Sequence, residues 1–123
     1  MISKEVRRSD WREFFDRFSK QHEGWLATLE ILVDGDDAQA EAVALPFEGI
    51  SLNAKDKPES LVINFGRSAV DHVSHTIERP DHIWLTQTAE GADDSLEIEH
   101  QDEQKTFLRF RSPMLPEFVD GIV

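Results

Sequence analysis

Three of the five histidines of this chain, His72, His75 and His82, stand in one segment, with Asp71 and Asp81 beside two of them and Arg67 and Arg79 flanking the group. Imidazole, carboxylate and guanidinium groups in one stretch are the ingredients of a metal or anion site. A His-x-x-His pair chelates when its segment is helical or turned, because both rings then point the same way. In an extended strand, residues three apart face opposite sides. Val73, His75 and Ile77 alternate with His72, Ser74 and Thr76, which reads as a short strand and counts against chelation. His72, His75, His82, Arg67 and Arg79 are nevertheless the candidate ligand or metal site of a small enzyme or metal-dependent binder.

Other constellations are weaker. Ser68 and Ser74 lie near His72 as a nucleophile and base would, but no oxyanion feature accompanies them. Gly66-Arg67-Ser68-Ala69-Val70 lacks the second glycine of a nucleophile elbow. Asp34, Asp36 and Asp37 open like a calcium loop, yet Gln39 and Leu45 occupy the positions that need glycine and glutamate. The scattered glycines form neither a P-loop nor a dinucleotide fingerprint. Glu97 and Glu99 read as solvated cross-strand partners rather than an acid–base pair, and Trp25 and Trp84 as core. His22 reads as a packed histidine, hydrogen-bonded near the end of a helix. No cofactor is expected, and the balance leans away from an enzyme.

The elements that must position these groups follow from periodicity. Trp11, Phe14, Phe15 and Phe18 fall at i, i+3, i+4 and i+7, one apolar helix face over about residues 10–22. Ser9 or Asp10 is the expected cap, with Glu13 completing a capping box, and Gly24 ends the helix. From Trp25 to about Arg111 the pattern alternates with period two. Strands are expected over 25–33, 38–45, 47–55 (with Gly49 a bulge or bend), around Leu61–Phe65, in part of 66–80, and around Ile83–Leu85. Pro46 is expected to break the ladder. The row Ala38, Ala40, Ala42 and Ala44 predicts a bulky neighbour, the aromatic helix face. Glu90-Gly91-Ala92-Asp93 turns the chain into a final hairpin, with a three-residue loop at 102–104. That register opposes Leu96 to Phe110, Ile98 to Leu108 and Glu97 to Arg109. The tail 112–123 is apolar and packs back or binds a partner.

These elements predict one α+β domain over 1–123. Its N-terminal helix packs on a strongly bent antiparallel sheet or small barrel of about seven strands, similar in layout to SH3-like and Sm-like barrels. Fold alone carries no function. The 123 residues hold 25 acidic and 13 basic side chains, a formal charge of −12. Such a charge repels phosphate backbones and disfavours nucleic-acid binding. Residues 1–20 carry six bases against four acids, so the N-terminal tip is locally basic. The chain has no cysteine, which excludes disulfides and thiolate chemistry and suits a reducing cytoplasm. No apolar run reaches membrane-spanning length and no signal peptide is read at the N-terminus, so the expectation is a cytoplasmic protein without a membrane partner.

Trp11-x-x-Phe14-x-x-x-Phe18-Ser19-x-x-His22-x-Gly24-Trp25 resembles the opening of a family of short, uncharacterised bacterial proteins, a domain of unknown function. Leu45-Pro46-x-x-Gly49-Ile50, His75-x-Ile77-x-x-Pro80, Leu96-Glu97-Ile98-Glu99 and Leu108-Arg109-Phe110-x-x-Pro113 are similar to its later landmarks. The resemblance implies a stand-alone bacterial cytosolic domain and transfers no catalytic or binding residue. The leading expectation is a non-enzymatic module that binds another protein or itself as a homo-oligomer.

Overall fold

A computed structural model of the chain describes residues 2–33, 39–55, 58–66, 72–101 and 104–110. The elements are β1 (Ile2–Glu5), a 3-10 turn (Arg8–Asp10), α1 (Trp11–His22), β2 (Leu26–Val33), β3 (Gln39–Asn53), β4 (Ser60–Gly66), β5 (His72–Glu78), β6 (Pro80–Gln87), β7 (Asp93–His100) and β8 (Gln104–Phe110). The architecture is α+β: one helix and one antiparallel sheet in the order β1-β6-β7-β8-β2-β3-β4-β5. Among the described residues the sheet does not close into a barrel. The expected turn at 34–37, Arg67, Ser68, Asp71 and the tail 112–123 lie outside the described residues.

The helix forms where its apolar spacing places it. Trp11, Phe15 and Phe18 are buried in one core cluster with Leu29, Phe47, Leu61, Ile63, Phe65, Ile77, Ile83, Leu96, Ile98 and Leu108. The capping box does not form. Asp10 has helical backbone angles and makes no side-chain cap, because the 3-10 turn already carries the chain into the helix and its N–H bonds the Arg7 carbonyl at 2.9 Å. A side-chain cap requires an extended residue at that position. At the other end Gly24 takes a φ of +87°, the left-handed exit that favours glycine.

Two expected strands are one. The break expected at Pro46 is absent, because β3 changes partners there instead. Residues from Gln39 to Pro46 pair with β2 and those from Phe47 to Asn53 pair with β4. A proline lacks the N–H of a ladder, so it is tolerated where one ladder hands over to the next. Ala44, two residues earlier, has a φ of +50°, and its N–H is held by Thr28 Oγ1 at 3.1 Å. The alanine row is only partly explained. Ala42 is buried and Ala40 exposed, whereas the helix meets β3 farther along. There a Cβ on Gly49 would lie 3.4 Å from Ser19 Oγ. That hydroxyl donates to the Ile50 carbonyl at 3.2 Å and accepts from its N–H at 2.9 Å.

The final hairpin is offset by two residues from its expected register. Leu96 faces Leu108, Ile98 faces Thr106 and Ser95 faces Arg109. Strand faces survive because the offset is even. The expected Glu97–Arg109 pair does not form; Arg109 Nε bonds Glu30 Oε1 on β2 at 2.7 Å. At the far side of the sheet, β5 passes to β6 through Arg79 alone, at a φ of +54°. Its N–H donates to the Glu59 carbonyl and its carbonyl accepts from Gln101 N–H.

The Ser19 bridge satisfies both backbone groups of Ile50. Ser19→Ala is expected to lower stability by about 1–2 kcal/mol, read by urea unfolding; an unchanged midpoint would show that the bridge contributes nothing.

Candidate functional site

The structure separates the histidine segment. His72 is an exposed residue at the start of β5, its Nε2 3.7 Å from Glu48 Oε2 on β3. His75 lies three residues on, opposite Ile63 of β4. In an extended strand the two rings therefore face opposite sides. His82 belongs to β6 and bonds Glu5 Oε2 on β1 at 2.7 Å, with Asp81 at 3.6 Å. Arg79 forms the corner between β5 and β6. Ser74 donates to Asn64 Oδ1 at 2.6 Å, an arrangement that gives it no base. Among the described residues no three His, Asp or Glu side chains could share a metal ion. The His82 imidazole pKa is raised above its ordinary range, chiefly by its hydrogen bond to Glu5; desolvation opposes the rise, and the charges of Asp81, Glu5 and Glu99 add to it.

The densest polar chemistry lies elsewhere, at the end of α1. His22 is 3% exposed. Its Nδ1 is 2.7 Å from the Phe18 carbonyl, one turn back. Its Nε2 is 3.0 Å from Asp93 Oδ2 at the start of β7. Gln87 Nε2 donates to the other carboxylate oxygen at 2.8 Å. His22 is a packed residue near the helix end, as its spacing predicts, whereas Asp93 reads in the sequence only as part of a turn. The turn does form: Gly91 takes a φ of +89°, and Thr88 N–H bonds the Ala92 carbonyl at 2.8 Å. Its exit delivers Asp93 to the helix terminus.

Proton accounting fixes the state of this pair. A carbonyl oxygen only accepts, so Nδ1 carries a proton. Burial alone would push the Asp93 carboxyl up, but hydrogen bonds from His22 and Gln87 and the charges of His22 and Lys4 together hold it below the ordinary range. An ionised carboxylate also only accepts, so Nε2 must donate as well. With Asp93 ionised, this geometry is that of an imidazolium. Its surroundings suit a cation: the helix C-terminus, the Phe18 ring at 4.3 Å, the Phe110 ring stacked at 4.7 Å and 14°, and Trp25 edge-on at 4.6 Å. An imidazolium with both N–H groups committed has no lone pair to act as a base. The contacts of the pair join the end of the helix to the start of β7. Beside it the Trp25 Nε1–H is buried with no hydrogen-bond partner among the described residues.

A family model described as a family of unknown function (DUF5335) matches residues 2–117. The chain belongs to that family. The likeness drawn from the Trp11–Trp25 opening thus holds at the level of a family of unknown function. No curated protein and no solved structure matched the chain. Among the described residues no helix is long and apolar enough to cross a membrane.

Three measurements test this geometry in the DUF5335 chain. His22→Ala and Asp93→Ala are each expected to cost about 3 kcal/mol, and the double variant less than their sum, because either single change strands the other partner in the interior. Additive losses would show that the two groups do not interact. The depressed Asp93 carboxyl contributes stability above the ordinary carboxylate range and loses it as pH falls through its lowered value. The acid limb of the stability profile should accordingly flatten in Asp93→Asn. At the surface, Glu5→Gln is expected to lower the His82 titration midpoint in proton NMR while leaving the fold intact; an unmoved midpoint would remove Glu5 as the cause.

Proposed function

We propose that this protein is a non-enzymatic binding module that engages extended protein segments along the open edge of its sheet at β5. One observation carries the reading: β5 is the last strand of the sheet and forms a ladder only with β4 among the described residues. A strand edge presents backbone donors and acceptors in a row, and strand addition is a recurring mode of protein recognition. The other terminal strand, β1, is shorter, at four residues, and carries Lys4 and Glu5, the kind of charge that discourages pairing. β5 runs for seven residues without proline or lysine, and Val73, Thr76 and Ile77 favour extended structure.

The chemistry of the described residues supports binding over catalysis. The one buried acid–base pair has no free lone pair, and the exposed histidines hold separate carboxylates. The short Arg79 link between the two sides of the strand order supports a strongly curled sheet, in keeping with the proposed layout. The cysteine-free sequence fits a reducing bacterial cytoplasm, which we keep as part of the proposal. The acidic charge disfavours nucleic acid as the partner.

Photo-crosslinking in bacterial cells tests the reading. A benzoyl-phenylalanine at position 74 or 76 on β5 is expected to yield protein adducts, whereas one at exposed position 43 on β3 is not. Adducts at position 43 with none from β5 would overturn it.

A further inference from the structure

The chemistry of β5 is symmetric about its middle residue. Resting on the reading of β5 as a binding edge, we infer that its occupant is the β5 of a second copy, paired antiparallel about a two-fold axis at His75. This pairing sets His72 opposite Glu78, Val73 opposite Ile77 and Ser74 opposite Thr76, each pair occurring twice. Every residue of β5 then has a partner of matching chemistry.

The faces agree as well. His72, Ser74, Thr76 and Glu78 are all exposed, while Val73 and His75 are half-buried and Ile77 is buried. A two-fold axis perpendicular to the sheet keeps each face on its own side, so residues of one parity meet only each other. Val73 and Ile77 extend the apolar face already packed against the core, and His72 and Glu78 form opposite-charge pairs on the outer face. The neighbouring centres are poorer. An axis at Ser74 opposes Val73 to His75, and one at Thr76 opposes Ile77 to His75; both shorten the ladder. In the monomer His72 is 3.7 Å from Glu48, beyond hydrogen-bond distance and within reach of a second carboxylate.

Charge reversal with mixing reads this register directly. His72→Glu opposes two carboxylates at each end of the ladder, and Glu78→Lys opposes two basic side chains. Mixed one to one, the two variants restore one Glu–Lys and one His–Glu pair. Sedimentation over a concentration series is expected to show a weak, reversible dimer of the wild-type chain. Each single variant should weaken it by about tenfold, the scale of two cross-strand pairs. The mixture, and the double variant His72→Glu/Glu78→Lys, should return to within about threefold of wild type. Thermal unfolding of each variant monitors the fold, and intrachain effects of either change persist in the mixture, so they cannot produce the rescue. A wild-type chain that stays monomeric at about millimolar concentration, or single variants that the mixture does not rescue, would overturn the inference. If position 74 or 76 still crosslinks other proteins, the failure is of self-pairing alone; if β5 gives no adduct of any kind, the edge reading fails with it.

Discussion

The joint between His22 and Asp93 fixes how the helix sits on the sheet. α1 ends at His22, and the chain leaves it through Gly24 directly into β2. The His22–Asp93 contact anchors that exit to the first residue of β7, on the far side of β8 in the strand order. Phe18, Trp25 and Phe110 surround the ring, so the same contacts that shield the charge also tie the helix to β8 and to the start of β2. Burying a charge is costly unless it is paired and fully hydrogen-bonded. Both ring nitrogens and both carboxylate oxygens are satisfied here, and the orientation of the helix is set by that requirement.

A second constraint acts on β3. One strand serves two ladders, with β2 on its first half and β4 on its second. The hand-over at Ala44–Pro46 needs an N–H-free residue and a left-handed backbone, and Ser19 then stitches the helix to the second half at Ile50. The outer strands β4 and β5 thus depend on the same helix end that His22 anchors three residues further on. Among the described residues this leaves β5 as a terminal strand paired on one side, the condition from which the proposed binding role arises.

Much of this was legible in the residues. Four aromatic side chains at helical spacing gave the helix and its buried face, and period-two alternation gave the strand content. The errors have physical causes. Ile2–Glu5 is too short and too polar for its pattern to be visible, and it forms only because β6 offers a ladder. Pro46 signals the end of a hydrogen-bond row, which need not be the end of a strand. The hairpin register differs from the expected one by two residues because apolar pairing alone does not distinguish between registers of equal parity. His22 was readable as a packed residue, but its partner lies across the chain among 25 acids, and no local period points to Asp93. The histidine segment is a cluster in composition, with His72 and His75 three apart on β5 and His82 on β6.

Nitrogen-15 NMR of the His22 ring at neutral pH tests the joint most directly. The account predicts two protonated ring nitrogens, both at imidazolium shifts, with two slowly exchanging N–H protons; in Asp93→Ala the Nε2 proton is lost while the Nδ1 proton, held by the Phe18 carbonyl, remains. A single protonated nitrogen in a neutral tautomer would contradict it, and with it the claim that a buried ion pair orients the helix.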